Sequence, residues 1–305
     1  MKSIITILGF GNIGREVCFS LLNFDDNFTI NIIDPSDEID GSLKDMIQAM
    51  EFDSNHSIVF NNSDLFNASN YVFHCAGANV PIDASRLSIV KESVEITEKA
   101  FGNYRPNPDA KIIVVSNPVE IISFITKKIT GLPSKNIIGT GTSLDSVRMN
   151  CLSKKKYPHL KNPNFILLGE HGHHIILDRA RSSLDSNKAH HILSEDKLEE
   201  LLSDVKNCAK EIKKTQEFTL YGPVMSALKV FRCLFKNETG LFPVSTEIPQ
   251  FSQERYGFKP IFLSLYAEIN SAGAQVRMEN FDFNKLKPSY EALLEAIPDK
   301  YLSYF

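Results

Sequence analysis

The sequence predicts an α/β fold in which a doubly wound parallel sheet is followed by a mixed α+β domain. Short β-rich runs alternate with helical segments over the first 140 residues, and a glycine-rich turn joins the first run to the first helical segment. Beyond residue 140 the alternation stops and longer helical stretches follow. Because such alternation is typical of a parallel sheet covered by helices, we place one domain at residues 1–140 and a second at residues 141–305.

The predicted elements of the first half are short and closely spaced. Glycine, proline or polar residues bound the β-rich runs, and the segments between them have helical spacing. The predicted strands are residues 3–8, 28–33, 58–60, 71–75, 111–115 and 136–139. The predicted helices are residues 15–22, 43–50, 89–101 and 120–129.

The second half has a different pattern. A polar stretch rich in Lys and Glu at residues 190–217 and an apolar stretch at residues 224–235 each predict a helix. Residues 237–256 are rich in proline and turn residues and predict a turn-rich segment. A strand is predicted at residues 261–266 and a terminal helix at residues 281–302.

Composition excludes several classes of protein. The 305 residues carry 33 Lys and Arg against 37 Asp and Glu, a net charge of −4, which argues against nucleic acid as a partner. No apolar stretch has the roughly 18 residues that a membrane span needs, and the N-terminal apolar run predicts a buried strand rather than a signal peptide. The 5 scattered cysteines contain no CxxC pair. We therefore expect neither a disulfide framework nor a zinc site, and a cytoplasmic location.

The glycine-rich turn has the spacing GxGxxG. Gly9, Gly11 and Gly14 follow a predicted strand and open a predicted helix, with Asn12 and Ile13 between the last two glycines. In that context the glycines permit a tight turn, and the free N–H groups of the helix bind a pyrophosphate. Asp34 comes twenty residues after Gly14, at the end of the second strand, where a carboxylate binds ribose hydroxyls and repels a 2′-phosphate. The pattern predicts a Rossmann-type domain that binds NAD rather than NADP.

Four charged residues match the needs of 2-hydroxy-acid oxidation. His171 lies in a Gly-Glu-His-Gly turn, and Asp145 and Arg148 are three apart on one face of a predicted helix. A base must take the hydroxyl proton, a carboxylate must orient that base, and a guanidinium must bind the substrate carboxylate. A second cation, for which Arg86 is the candidate, must polarise the carbonyl in the reverse direction.

The chain resembles the lactate/malate dehydrogenase family over nearly its whole length. Beyond the glycine turn, five fragments match in the family's order and spacing. They are CAGA (residues 75–78), VSNPV (115–119), IIGTGTSLDSVR (137–148), LLGEHG (167–172) and FPVST (242–246).

This resemblance implies a role for each candidate. His171 would be the acid and base, Asp145 its partner, and Arg148 the group that binds the substrate carboxylate. Arg86 would polarise the carbonyl from a mobile loop, residues 79–86, that closes over the acid. We expect Asp145 to raise the pKa of His171 and keep it near neutrality.

The resemblance also implies contacts further from the reacting carbon. Asn117 would contact the nicotinamide ribose and the substrate, Thr219 would line the substrate pocket, and Gly77 would approach the cofactor. Phe10 stands where the family has a small residue, and we expect it to crowd the pyrophosphate. Neither the family chemistry nor the sequence calls for a metal, and the fold implies a homodimer or homotetramer.

The substrate depends on one position of the mobile loop. Counted from the flanking motifs, Val80 stands where the family has glutamine in lactate enzymes and arginine in malate enzymes. Valine cannot pair with a second carboxylate of the substrate, so this position favours a substrate with an apolar tail, and we expect a lactate-type substrate. A malate-type substrate remains the alternative if another basic residue reaches the pocket. A third reading is an NAD-binding member of the family with little or no turnover.

Overall fold

The computed structural model describes residues 2–35, 41–52, 54–81, 84–102 and 104–303. Strands and helices alternate through the first half, as the sequence predicts. The strands are β1 (Ser3–Leu8), β2 (Phe28–Ile33), β3 (Ser57–Phe60), β4 (Tyr71–His74), β5 (Lys111–Val114) and β6 (Ile137–Gly139). The helices are α1 (Asn12–Leu22), α2 (Gly41–Ala49), α3 (Ser63–Asn67), α4 (Val90–Phe101) and α5 (Val119–Thr130).

The second half mixes helices with mainly antiparallel strands. Its helices are α6 (Ser143–Lys156), α7 (Ala189–Ile192), α8 (Glu195–Lys213), α9 (Tyr221–Phe235), α10 (Gln250–Tyr256), α11 (Lys287–Ala296) and α12 (Asp299–Leu302). Its strands are β7 (Leu167–Leu168), β8 (Ile176–Leu177), β9 (Ser183–Leu184), β10 (Asn187–Lys188), β11 (Gly240–Glu247), β12 (Phe262–Asn270) and β13 (Gly273–Val276).

Nine strands of the described chain form one sheet, in the order β13-β12-β11-β6-β5-β4-β1-β2-β3. The six strands of the first half are parallel, and β11 to β13 extend the sheet with antiparallel pairing. The order in which strands are added to the sheet reverses beside β1, because β2 and β3 lie on one side of β1 and β4 to β6 lie on the other. At this point Leu8 of β1 pairs with His74 of β4, which is parallel to it. Such a reversal opens a crevice at the carboxyl ends of the two strands. The glycine turn and the CAGA loop therefore flank the same crevice.

Two predictions for the second half are wrong in detail. Residues 237–256 contain β11 and α10 rather than only turns. Pro243 is tolerated within β11 because β11 bridges β6 only at Ser245, so much of one edge of the strand is unpaired. Residues 281–302 form a short turn and two helices, since the backbone leaves the helical region at Ile297 and Pro298 caps the start of α12. No helix of the described chain is both long and apolar enough to cross a bilayer.

A cluster of aromatic rings joins the two halves of the chain. Phe231 on α9 is fully buried, and its ring lies 5.2–5.6 Å from those of Tyr71 and Phe73 on β4 and of Phe24 after α1. Phe235, one turn further along α9, stacks on Phe231 at 5.3 Å. Aromatic contacts of this kind add to the free energy gained from burial, so α9 is held firmly against the sheet.

We expect Phe231→Ala to lower the free energy of unfolding by about 3–5 kcal/mol, because it leaves a cavity at the centre of this cluster. Urea unfolding measures the change. Phe52→Ala is the matched control, since the Phe52 side chain is 92% exposed and should change stability little. A loss for Phe231→Ala no larger than that of the control would contradict the packing described.

Candidate active site

The crevice contains a cavity of about 270 Å³ in which the candidate residues come together. Its wall includes Val80, Asn117 and Thr219, and the side chains of Arg86, Arg148 and His171. Arg86 begins a short 3₁₀ turn ahead of α4, Arg148 lies on α6, and His171 follows β7. Residues 82 and 83 of the loop before Arg86 lie outside the described residues.

A buried carboxylate connects the two groups predicted on α6 and in the Gly-Glu-His-Gly turn. Asp145 Oδ2 contacts His171 Nδ1, and Asp145 Oδ1 accepts a hydrogen bond from Arg148 Nη1 at 3.1 Å. Ser146 fixes this arrangement from the other side, because its hydroxyl oxygen accepts the Leu167 N–H at 3.0 Å and ties α6 to β7. One carboxylate thus orients both the imidazole and the guanidinium.

The charge state of Asp145 follows from its neighbours. Burial alone would raise its pKa, but His171, Arg148 and Arg86 lower the pKa well below its usual range. Asp145 is therefore ionised and can only accept hydrogen bonds, so His171 Nδ1 carries a proton and donates it to Asp145. In the neutral imidazole, Nε2 is then free of hydrogen and can accept a proton.

The expected effect of Asp145 on the His171 pKa is present, but the net shift of this pKa is downward. Burial lowers the pKa of His171 below 6.5, and the positive charge of Arg86 lowers it further. Asp145 does raise this pKa, as expected, but does not offset the other two effects. The imidazole is consequently neutral at physiological pH before substrate binds.

Two buried carboxyl groups support the turn that carries His171. The His171 N–H donates to Glu120 Oε1 at 3.2 Å, and the Ser264 hydroxyl donates to the same oxygen at 2.7 Å. The Glu170 side chain folds beneath the turn, where a Cβ on Gly172 would lie 1.8 Å from Glu170 Oε1. A side chain at position 172 would therefore have to displace the Glu170 carboxylate from its place beneath the turn.

A second cavity of about 470 Å³ adjoins the first and extends to the glycine turn. It is lined by Gly11, Asn12, Ile13, Gly77 and Asn117, five of the predicted cofactor contacts. A Cβ built on Gly11 meets nothing within 4 Å, so the turn leaves open space there for a ligand. Asn117 Oδ1 is buried and, among the described residues, has no hydrogen-bond partner. An open glycine turn and an unpaired amide oxygen fit a dinucleotide lying along this cavity.

The other two glycines shape the turn itself. A Cβ on Gly14 would lie 2.0 Å from the carbonyl oxygen of Gly9, and Gly9 has φ of +94°. Neither residue lines the cavity, so their predicted contact with the cofactor stays a prediction. Asp34 lies just after β2, and its Oδ2 accepts the Phe10 N–H at 2.7 Å. The expected crowding by Phe10 is wrong, because its ring is buried in the core and does not line the cavity.

Three residues of the site escaped the sequence analysis. Glu120 lies beneath His171, and Ser226 on α9 lines the first cavity. Lys213 at the end of α8 donates a hydrogen bond to the Val80 carbonyl oxygen at 2.7 Å. Only Lys213 had a usable signal. Lys206, Lys210 and Lys213 are spaced four and three apart, which places them on one helical face.

Comparison with known proteins identifies the family. Residues 3–139 match the lactate/malate dehydrogenase NAD-binding domain, and residues 142–301 match the lactate/malate dehydrogenase α/β C-terminal domain. Together these matches cover nearly the whole chain. The chain belongs to the lactate/malate dehydrogenase family, which confirms the resemblance drawn from the sequence, and its N-terminal half is an NAD-binding domain of Rossmann type.

Individual relatives include both lactate and malate dehydrogenases. An L-lactate dehydrogenase of Clostridium botulinum (strain Loch Maree) is 25% identical over 295 residues, which are 93% of this chain and 91% of that protein. The structure of a minor L-lactate dehydrogenase from Enterococcus mundtii is 25% identical, with a TM-score of 0.83 over 97% of this chain and 98% of that one. Malate dehydrogenase of Cryptosporidium parvum has a TM-score of 0.86 over the full length of both chains at 20% identity, which shows a shared fold.

The carboxyl group of Glu120 gives a prediction for the pH dependence of stability. Burial raises the pKa of Glu120 to about 8, and Glu170 adds to the shift, while the Ser264 hydroxyl opposes it. A carboxyl whose pKa rises on folding stabilises the fold in its protonated form, and that contribution is lost as pH rises towards 8. We expect the stability of Glu120→Gln relative to the unmodified protein to increase between pH 5 and 8.

Urea unfolding at intervals from pH 5 to 9 measures this difference. Glu279→Gln serves as the control, because Glu279 is exposed and its replacement should give a difference that does not vary with pH. A flat profile for Glu120→Gln as well would show that Glu120 is ionised at neutral pH.

Proposed function

We propose that the protein is an NAD-dependent oxidoreductase that interconverts a small L-2-hydroxy acid and its 2-oxo acid. Residues 1–140 would bind NAD and residues 141–305 would supply most of the substrate site. The observation that carries the proposal is the buried contact of Asp145 with both His171 and Arg148 inside a cavity that also holds Arg86. Bound along the second cavity, NAD(H) would supply the hydride-transfer chemistry of this reaction.

The proton moves through His171. In oxidation, Nε2 of the neutral imidazole accepts the proton of the substrate hydroxyl, and Asp145 stabilises the imidazolium that forms. In reduction, the imidazolium returns that proton to the oxygen at C2. The lowered pKa of His171 favours the neutral base before substrate binds, and the negative charge of a bound acid would raise it again.

The two arginines have separate tasks. Arg148 uses one nitrogen on Asp145, and the rest of its guanidinium binds the substrate carboxylate. Arg86 lies over the cavity next to His171, where its charge polarises the C2 carbonyl. Asn117 would contact the nicotinamide ribose and the substrate, and Thr219 would bound the substrate side of the pocket.

Two alternative functions would require different properties of the site. The lysines that line the cavity favour a malate-type substrate, whereas the Val80 side chain favours a lactate-type substrate with an apolar tail. An NAD-binding protein with little turnover would need a defect in the catalytic groups, yet Asp145, His171 and Arg148 are in contact. We further propose a homodimer or homotetramer, as the family membership suggests.

The substitutions Arg148→Lys and His171→Gln should affect different kinetic constants. Arg148→Lys replaces the planar, two-pronged donor by a point charge and should mainly raise KM, because substrate and transition state lose the same contact. His171→Gln removes the proton acceptor and should mainly lower kcat, by about 100- to 10,000-fold. Initial rates with NADH and a 2-oxo acid separate the two effects, and normal kinetics in both variants would refute the assignment.

The proposal as a whole is tested by NADH oxidation with pyruvate, 2-oxoisocaproate and oxaloacetate. Turnover of any one of these acids that depends on His171 supports it. Tight NADH binding without turnover of any acid would favour the binding-protein alternative.

A further inference from the structure

The wall of the substrate cavity carries an excess of positive charge. Arg86 and Arg148 lie near the predicted position of the reacting carbon, and α8 adds Lys206, Lys210 and Lys213 along the same wall. Among the described residues that line this cavity there is no Asp or Glu. Asp145 and the carboxylate at C1 of a 2-oxo acid would together balance Arg148 and Arg86, which leaves the charge of Lys213 for a second anionic group.

Lys213 is the lysine whose position is best defined. Its ammonium donates to the Val80 carbonyl oxygen at 2.7 Å, across the mouth of the cavity. Lys213 lines both the substrate cavity and the cofactor cavity, so it lies where the two meet. An ammonium has three N–H donors, and the Val80 carbonyl takes one of them.

We propose that Lys213 is the specificity-determining residue that binds the distal group of the substrate, and that this group is a carboxylate. The inference rests on the proposed oxidoreductase function and adds the substrate class to it. The Val80 side chain is aliphatic and has no donor, whereas the Lys213 ammonium reaches the backbone of that same residue. In this proposal the charge that binds the distal group comes from α8, because the Val80 side chain on the loop supplies none.

The electrostatics of the cavity agree with this role. Burial lowers the pKa of Lys213, and the positive charge of Arg86 lowers it as well, so the two cations repel each other across the cavity. A dicarboxylate bound between Arg148 and Lys213 would relieve that repulsion. A substrate with an apolar tail would leave it in place and would also desolvate the Lys213 ammonium with only the Val80 carbonyl oxygen as its partner.

The test compares two acids of nearly the same shape. Oxaloacetate carries a carboxylate where 2-oxoisocaproate carries an isopropyl group, so the ratio of kcat/KM for the two acids reports the effect of the distal charge. The unmodified protein should prefer oxaloacetate by at least about 100-fold. Lys213→Met should lower kcat/KM for oxaloacetate by about 10- to 100-fold and leave that for 2-oxoisocaproate the same or higher.

Two further variants complete the design. Lys213→Arg keeps the charge and should keep most of the preference for oxaloacetate. Lys214→Met removes a charge from the next residue, which is exposed and pairs with Glu211, and it should leave both rates unchanged. Thermal unfolding of each variant checks that the fold is retained.

The outcomes separate this inference from the proposed function. An equal loss of kcat/KM for both acids in Lys213→Met would show that the lysine only holds the loop, and the inference would fail. A preference of the unmodified protein for 2-oxoisocaproate would also overturn the inference, while the oxidoreductase assignment would stand. Absence of turnover with every 2-oxo acid would overturn the proposed function itself.

Discussion

The buried carboxylate of Asp145 is the group on which the rest of the site depends. It fixes the tautomer of His171 and the direction of Arg148, and its negative charge acts on the two arginines of the site, Arg148 and Arg86. Removing one partner of such a buried set leaves the others without compensation, which is strongly unfavourable. The tautomer of the imidazole, its free Nε2 and the direction of the guanidinium all follow from this one ionised group.

The sheet explains how Asp145 reaches that position. Strand β6 delivers α6, with Asp145 in its first turn, and the contact of Ser146 with Leu167 holds α6 against β7. Strand β5 leads into α5, which places Glu120 beneath the His171 turn. Helix α8 closes the cavity from the far side and brings Lys213 to the loop that carries Val80. Asp145, Arg148 and Glu120 thus lie on helices, and Glu120 in turn holds the turn that carries His171, so the geometry of these groups is fixed before substrate binds.

The sequence predicted those features that are local in the chain. Alternating β-rich and helical segments gave the parallel half of the sheet, and the three-residue spacing of Asp145 and Arg148 gave their common face. Strand β11 was missed because its proline is acceptable only where the tertiary pairing leaves an edge open. The contact between Lys213 and Val80 joins residues 133 apart in the chain, so no local pattern contains it. The direction of the His171 pKa depends on burial and on Arg86, which only the folded chain brings together.

The most direct test of this account is the titration of His171 by NMR in the protein without substrate, with His171→Gln used to assign the resonance. The account predicts a pKa below 6.5 in the unmodified protein and a still lower value in Asp145→Asn, because the substitution removes the negative charge that favours the imidazolium. An unchanged or higher pKa in Asp145→Asn would show that Asp145 does not control the charge of His171, and the central claim would fail.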